Sequence, residues 1–319
     1  MLTLTTIRQA QALLSRYLPV TRLVPAPSLS RGTGSRVWLK LESELPTGSF
    51  KPRGALYALS VNLQRRELKE VTASSTGNHG AAVAYAAKQL GIPATIFLPA
   101  NPNPVKRTNI AALGAKIVED GGSDLRAAFE RASTYSQKAG VYFLNDATDP
   151  DLPAGPATIA CEIFDQLPES DAVVVPMGDT ALIRGVAAAA KQLSPAVRIV
   201  GVQAERAPSY FLSWKQGRAV PTDTCDTIAD GLATRTPEPD NVAAIRELVD
   251  EVVLVSEEQM RSAMGHLALE EHVIAEPAGA AATAALLNST TAFGRNIVLL
   301  VTGANASHDV LRSAICPTR

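Results

Sequence analysis

The 319-residue sequence predicts an α/β protein in which mostly parallel strands are covered by helices on both faces. From residue 37 onward, short runs of β-branched residues alternate with longer patterns rich in Ala and Leu. The apolar runs at 173–175 and 298–301 do not alternate with polar residues, so both faces of these strands should be buried. The helical patterns between the strands supply the crossover connections that parallel pairing requires.

The elements follow one another along the chain with short connections. Predicted strands span residues 37–41, 70–74, 94–98, 116–118, 172–175, 198–202, 251–255 and 296–301. Predicted helices span residues 52–65, 80–90, 104–113, 124–138, 153–167, 182–192, 257–272 and 277–287. An N-terminal helix is also expected, with Ile7, Leu14 and Leu18 on one face. Its acid-poor, arginine-bearing sequence could instead be a transit peptide, but the strand at 37–41 follows too closely for a removable leader.

Composition excludes several classes of protein. Thirty Lys and Arg residues against 31 Asp and Glu give a net charge of −1, which argues against a dedicated binder of nucleic acid or anionic membranes. No apolar stretch approaches the ~18 residues of a membrane-spanning helix. The three cysteines lie far apart, which disfavours disulfides and structural zinc and fits a reducing compartment. We therefore expect a cytoplasmic enzyme of about two domains without a metal.

The first strand-to-helix junction that could carry chemistry is residues 46–54, Pro-Thr-Gly-Ser-Phe-Lys-Pro-Arg-Gly. Pro52 suits the first position of a helix, which places Lys51 at or just before the helix N-terminus. The helix dipole and burial should both lower the pKa of Lys51 and favour the free amine that a Schiff-base lysine requires. The alternative interpretation is a solvated lysine in a first turn.

The second junction, residues 74–80, reads Ser-Ser-Thr-Gly-Asn-His-Gly between a predicted strand and an Ala-rich helix. Its hydroxyls, amide and backbone N–H groups could form an anion-binding cup for a substrate carboxylate. The same residues could equally serve only as a helix cap and a turn. These residues alone do not decide between the two interpretations.

The third junction, residues 175–181, reads Val-Pro-Met-Gly-Asp-Thr-Ala and enters the predicted helix 182–192. A strand, a loop of small residues and a helix start can hold a phosphate with backbone N–H groups. The junction lacks the signatures of nucleoside-triphosphate and dinucleotide sites. Asp179 is unfavourable beside a phosphate unless its side chain points away.

With these junctions in order, the sequence resembles the pyridoxal-phosphate enzymes of the tryptophan-synthase β-like fold, and most of all the threonine/serine dehydratases, or ammonia-lyases. The resemblance is collinear from about residue 5 to about residue 315. It implies two open, mostly parallel twisted sheets with helices on both faces and a homodimer. It further implies a large cofactor-binding domain of residues 1–45 plus 146–319 and a small mobile domain of residues 46–145.

The resemblance also implies a role for each site residue. Lys51 would be the catalytic lysine that carries pyridoxal 5'-phosphate, Asn78 would bond the phenolic oxygen of the cofactor, and Thr302 would meet its ring nitrogen. The cofactor phosphate would be held by the backbone amides of Gly178, Asp179, Thr180, Ala181 and Leu182. The carboxylate of a small amino-acid substrate would be bound by Ser75, Thr76, Gly77 and His79.

Two further segments carry the resemblance. Residues 227–233, Thr-Ile-Ala-Asp-Gly-Leu-Ala, resemble a dehydratase segment that borders the active site, and residues 276–280 resemble the family's Glu-Pro-Ser-Gly-Ala helix start behind the pyridine ring. The sequence departs from the family in the phosphate loop, where three usual glycines are replaced by Asp179, Thr180 and Ala181. Backbone amides can still bind a phosphate in a loop of this sequence.

Two other positions bear on related activities. Thr76 stands where dehydratases commonly have Ala and where serine racemases have the Ser that acts as a second proton donor. The divalent-cation positions of serine racemases carry Gln203, Ala207 and Ser209 here, so no metal is expected.

The implied reaction is β-elimination from a hydroxy amino acid such as L-threonine or L-serine, which gives a 2-oxo acid and ammonia. Lys51 would remove the Cα proton, and the cofactor would stabilise the resulting carbanion. The alternatives on this fold are a threonine-synthase-like phospho-lyase, a serine-racemase-like enzyme and a β-replacement synthase. A non-enzymatic binding module is the remaining alternative.

Overall fold

The computed structural model describes residues 2–75, 77–100, 102, 104–119, 125–290 and 293–316. Its strands are β1 (Leu23–Pro25), β2 (Arg36–Leu41), β3 (Glu70–Ser74), β4 (Ala94–Leu98), β5 (Lys116–Glu119), β6 (Val141–Phe143), β7 (Ala172–Pro176), β8 (Arg198–Ala204), β9 (Glu251–Val255) and β10 (Asn296–Val301). Its helices are α1 (Leu4–Leu14), α2 (Pro27–Thr33), α3 (Pro52–Arg65), α4 (Asn78–Leu90), α5 (Pro104–Ala112), α6 (Leu125–Tyr135), α7 (Ala154–Gln166), α8 (Ala181–Leu193), α9 (Ser209–Gln216), α10 (Pro239–Leu248), α11 (Glu257–Glu270), α12 (Pro277–Leu287) and α13 (His308–Ile315). Short 3-10 helices lie at Glu42–Glu44, Pro46–Gly48 and Asp230–Leu232.

The described strands form two separate sheets. One has six strands in the order β1-β2-β10-β7-β8-β9, and only the β1–β2 pair in it is antiparallel. The other has four parallel strands in the order β5-β4-β3-β6. These two mostly parallel sheets confirm the predicted fold class. The division into a large domain and a small mobile domain stays a prediction.

The central strands of the six-stranded sheet are covered on both faces. Every residue of β7 and of β10 is buried, as the unbroken apolar runs predicted. In register, Val174 of β7 lies between Leu299 of β10 and Val200 of β8. Helix α12 is buried along almost its whole length, because its alanines allow the neighbouring elements to approach closely. None of the helices in the described ranges is long and apolar enough to span a membrane.

Helix α7 is the packing link between two helices that begin at the predicted chemical junctions. A Cβ atom added to Gly155 of α7 would lie 2.2 Å from the carbonyl oxygen of Arg53 in α3. A Cβ atom added to Gly185 of α8 would lie 2.2 Å from the carbonyl oxygen of Pro153, next to the start of α7. Both contacts are backbone to backbone, and glycine permits them because it has no Cβ. The starts of α3 and α8 are therefore held in place through α7.

Candidate active site

Lys51 precedes the first residue of α3, and its Nζ donates a hydrogen bond to Asp146 Oδ2 over 2.7 Å. The side chain of Lys51 is only 18% exposed. Burial lowers the pKa of Lys51, but the negative charges of Asp146, Asp179 and Glu276 outweigh burial and raise the pKa above its ordinary value. The predicted lowering was therefore wrong, because the carboxylates that face this amine come from distant parts of the chain. In the protein without cofactor, Lys51 is an ammonium ion.

Asp146 lies in the turn between β6 and α7, at the predicted domain boundary, and no local pattern marked it as a site residue. Asn145 Oδ1 accepts a hydrogen bond from the backbone N–H of Ala147 (3.0 Å), which fixes this turn. Burial raises the pKa of Asp146, but the charge of the Lys51 ammonium and its hydrogen bond outweigh burial and hold that pKa well below its usual range. The residue is thus a carboxylate at neutral pH.

The imidazole of His79 lies on the other side of Asp146. Its Nδ1 is 3.9 Å from Asp146 Oδ2, and its Nε2 is 2.8 Å from the carbonyl oxygen of Leu144. Burial lowers the pKa of His79, so the ring is neutral at neutral pH. Because a carbonyl can only accept, Nε2 carries the proton, and Nδ1 faces the carboxylate without one.

A second group of polar side chains forms around Asn78, the first residue of α4. Its Nδ2 donates to Glu276 Oε1 (2.5 Å), and its Oδ1 accepts from Asn305 Nδ2 (2.8 Å). Glu276 Oε2 is buried and has no hydrogen-bond partner in the described part of the chain. Burial raises the pKa of Glu276 to about 7. An unpaired polar atom of this kind indicates a site that receives a further group.

Backbone contacts bring the segment before Lys51 against the segment after β10. The N–H of Phe50 donates to the carbonyl of Thr302 (3.0 Å), and the N–H of Ala304 donates to the carbonyl of Gly48 (2.9 Å). A Cβ atom on Gly303 would lie 2.2 Å from Glu276 Oε1, so a larger residue would displace that carboxyl group. Thr302 itself is buried beside these contacts.

The loop of residues 178–182 forms the start of α8. Thr180 adopts a left-handed backbone conformation with φ of 70°, which lets the chain turn from β7 into the helix. The first N–H groups of α8 have no acceptor within the helix, and they point out of its start. A Cβ atom on Gly178 would lie 2.2 Å from the carbonyl oxygen of Gly231, so only glycine fits there.

Asp179 stands in this loop, and its Oδ1 accepts a hydrogen bond from Thr234 Oγ1 (2.9 Å). Burial and the charge of Asp146 raise the pKa of Asp179 to about 6. Asn241 Nδ2 donates to the carbonyl of Ala147 (3.0 Å) and lies 3.4 Å from the carbonyl oxygen of Asp179. The loop is therefore tied to the turn that presents Asp146 to Lys51.

The second predicted junction lies at the start of α4. Ser75 Oγ accepts a hydrogen bond from the N–H of Gly77 (3.0 Å), while Thr76 lies outside the described residues. A Cβ atom on Gly77 would lie 2.9 Å from Lys106 Nζ, and Lys106 forms an ion pair with Asp230. Lys106 is a cation beside the predicted carboxylate cup, and the sequence analysis missed it because it comes from another helix.

The structure thus brings together one amine, one anion-binding helix start and one polar cup from the three predicted junctions. This set fits pyridoxal 5'-phosphate, which needs a lysine for its aldehyde, N–H donors for its phosphate and polar partners for its ring. Two observations support that fit: Glu276 Oε2 has no hydrogen-bond partner among the described residues, and Gly178 packs against the backbone oxygen of Gly231. Within the described ranges, no cluster of three or more His, Cys, Asp or Glu residues could hold a metal.

Comparisons with known proteins agree with this chemistry. The sequence profile of the family described as "Pyridoxal-phosphate dependent enzyme" matches residues 14–303. Over 305 residues the chain is 37% identical to an L-threonine ammonia-lyase of Thermotoga maritima, and the alignment covers 96% of this chain and 76% of that protein.

Solved structures give the same result. The processed form of threonine deaminase isoform 2 from Solanum lycopersicum superposes with a TM-score of 0.91 at 33% identity, covering 97% of this chain and 86% of that one. Maize serine racemase superposes with a TM-score of 0.91 at 30% identity, covering 98% and 96% of the two chains. The chain therefore belongs to the family of pyridoxal-phosphate dependent enzymes, and pyridoxal 5'-phosphate is its cofactor.

Proposed function

We propose that the protein is a carbon–nitrogen lyase that dehydrates and deaminates a short hydroxy amino acid, L-threonine or L-serine, to a 2-oxo acid and ammonia. The observation that carries this proposal is the position of Lys51 Nζ, partly buried and hydrogen-bonded at the meeting point of the three junctions. The ammonia-lyase and deaminase among its relatives support the same reaction.

In this proposal each group of site residues has its own chemical role. Lys51 carries the cofactor and later takes the Cα proton as a general base. The start of α8 at residues 178–182 binds the phosphate, while Asn78 and Thr302 orient the ring. When bound, pyridoxal 5'-phosphate supplies the electron sink for the carbanion.

The substrate carboxylate is assigned to the cup at the start of α4, which includes Ser75, Thr76, Gly77 and His79. The N–H groups at this helix start favour an anion, and Lys106, in its ion pair with Asp230, lies beside them. Hydroxide is a poor leaving group and needs a proton. Lys51 can supply the proton that it has just taken from Cα, whereas the ionised Asp146 cannot donate one.

The test is a panel of L-serine, D-serine and L-threonine with the cofactor-loaded enzyme, in which 2-oxo acid and ammonia are measured. Lys51→Ala should abolish turnover and leave the circular dichroism spectrum unchanged, while the exposed Lys88→Ala should keep full activity. Near-normal turnover by Lys51→Ala would refute the assigned role.

Serine racemase activity is the one alternative with a specific observation behind it, the similarity to the maize enzyme. It predicts that L-serine yields D-serine faster than pyruvate. Chiral chromatography of the same reaction mixtures separates the two outcomes.

The remaining parts of the proposal concern assembly and location. We propose a homodimer in the cytoplasm, with residues 46–145 as a small domain that moves against residues 1–45 and 146–319. Light scattering of the purified protein measures the oligomeric state, and microscopy of a tagged chain measures the location. Hydrogen exchange with and without substrate measures the domain motion.

A further inference from the structure

The dehydration proposed above assigns no chemical step to Asp146, a carboxylate beside the amine of Lys51. Its Oδ2 lies 2.7 Å from Lys51 Nζ, and its side chain is 20% exposed. Strand β6 ends at Phe143, and the turn that follows brings Asp146 to the edge of the four-stranded sheet where parallel strands end. The carboxylate is thus part of the site.

A buried carboxylate needs a positive partner, and Asp146 loses its partner during the reaction. Among the described residues, the groups within ion-pair distance of Asp146 are Lys51 and His79. Lys51 can act as a base only while its amine is uncharged. His79 is neutral, and it uses its one N–H on the carbonyl of Leu144. Once Lys51 is neutral, neither of these groups balances the charge of Asp146.

The other acidic groups near the amine increase this demand for a cation. Asp179 and Glu276 both act on the charge of Lys51. The α-carboxylate of a substrate adds a further negative charge, and Lys106 near Gly77 is already paired with Asp230. A hydroxyl substituent on the substrate would meet Asp146 only as a neutral donor, whereas an ammonium substituent would meet it as an ion pair.

We propose that Asp146 binds an ammonium group on the β-carbon of the substrate, so that the site eliminates ammonia from α,β-diamino acids such as L-2,3-diaminopropionate. This proposal rests on the proposed lyase function and names a second substrate class for the same site. Asp146 then determines specificity through charge, and it is an acceptor throughout the reaction.

The elimination balances without a further reactant except water. The Cα proton moves to Lys51 Nζ, the bond between Cβ and the β-nitrogen breaks, and its electron pair leaves with the nitrogen as neutral ammonia. The new double bond joins Cα and Cβ, and hydrolysis of the released aminoacrylate by one water gives pyruvate and a second ammonia. A β-ammonium group leaves as neutral ammonia and needs no general acid. Asp146 is ionised and therefore has no proton to donate, so this reaction does not require one from it.

The experiment compares L-2,3-diaminopropionate with L-serine, which differs from it chiefly in the β-substituent. Wild-type enzyme should process the diamino acid with a kcat/KM at least equal to that for L-serine. Asp146→Asn should lower the ratio of kcat/KM for the diamino acid to kcat/KM for L-serine at least about tenfold, as expected for a lost charge-assisted hydrogen bond, because any effect through Lys51 acts on both substrates. Asp151→Asn, in the same segment but paired with Arg65 near the surface, should change neither.

Binding measured by calorimetry gives a second readout that does not depend on turnover. L-2,4-diaminobutyrate and L-homoserine are close in shape and carry no β leaving group. The wild-type protein should bind the diamino acid at least about tenfold more tightly, and Asp146→Asn should remove the difference.

Each outcome decides one proposal. Turnover of L-serine or L-threonine without turnover of diaminopropionate would overturn the assignment of Asp146 and leave the dehydratase function standing. Equal losses for both substrates in Asp146→Asn would also overturn it, because the residue would then act on Lys51 rather than on the β-substituent. If no amino acid is turned over, the lyase function fails, and the calorimetric comparison alone decides whether Asp146 selects an ammonium.

Discussion

Arg53, two residues after Lys51, holds both carboxylate oxygens of Glu42, with Nε 2.8 Å from Oε2 and Nη2 3.0 Å from Oε1. The same guanidinium donates to both oxygens of Glu162, at 2.6 and 2.9 Å. Lys40 Nζ completes the group with a 2.6 Å contact to Glu162. All four side chains are buried. This network fixes the first turn of α3 and therefore the position from which Lys51 reaches the site.

Removing Arg53 should destabilise the protein strongly. Arg53→Met leaves two buried carboxylates whose remaining polar partners, within the described ranges, are Lys40 and Thr21, and a broken buried pair costs about 3–5 kcal/mol. Urea unfolding followed by circular dichroism measures the loss. The control is Arg65→Met in the same helix, where the ion pair with Asp151 is exposed and contributes less than about 1 kcal/mol. Equal stability of the two variants would show that the network is not a structural anchor.

The ionisation of Lys51 in the cofactor-free protein should depend on Asp146. Because the carboxylate holds the pKa of Lys51 above its ordinary value, its amine should react slowly with an acylating reagent at pH 8. Asp146→Asn removes the nearest negative charge and should increase that rate. Mass spectrometry of the labelled peptides measures it, with the exposed Lys88 of the same molecule as the reference. An unchanged rate in Asp146→Asn would contradict the ion pair.

Glu276 should make the cofactor-free protein less stable as pH rises. The unfolded chain ionises this group near its model-compound pKa of 4.5, whereas the folded protein keeps the proton until about pH 7. A raised folded-state pKa gives stability that is fully present below pH 4.5 and is lost as pH rises through 7. Glu276→Gln should therefore gain about 3 kcal/mol relative to wild type between pH 4 and pH 8.

Chemical unfolding of both proteins across this pH range measures that gain. Gln keeps an oxygen for the hydrogen bond from Asn78, so the variant tests the charge rather than the shape of the side chain. The exposed Glu270→Gln serves as the control and should follow the wild-type curve. Parallel pH curves for all three proteins would rule out a raised pKa at Glu276.

Gly178 should be required for the phosphate loop. Gly178→Ala places a methyl group 2.2 Å from the backbone oxygen of Gly231, and the relief of such a clash costs about 1–3 kcal/mol. We expect weaker binding of pyridoxal 5'-phosphate by at least about tenfold, measured by absorbance titration. Gly32→Ala, where no atom lies within 4 Å of the added Cβ, should bind the cofactor as the wild type does.

The regular elements were predictable from local patterns. All eight predicted strands form, because short runs rich in β-branched residues between turn residues are too short for a typical helix and long enough for a strand. Strands β1 and β6 were missed, since three residues are too few to show a pattern. Helices α2, α9, α10 and α13 were also missed, and each has seven to ten residues, of which no more than three are buried.

The miss at β6 had a direct consequence for the site. Had Val141–Phe143 been recognised as a parallel strand, Asp146 would have stood at its carboxyl end, where ligands gather. The protonation state of Lys51 could not be predicted from the local sequence either, because Asp146, Asp179 and Glu276 follow Lys51 by at least 95 residues. Pairings of that range depend on tertiary structure, which local patterns do not contain.

The glycine contacts of α7 limit how this enzyme can diversify. The main chain at Gly155 touches that of Arg53, and the main chain at Pro153 touches that of Gly185. The distance between Lys51, proposed to carry the cofactor, and the start of α8, proposed to bind its phosphate, is consequently set by contacts between peptide groups, which a change of side chain does not alter. New substrate preferences must then arise at side chains beside Lys51, such as Asp146, while the backbone that supports them stays constant.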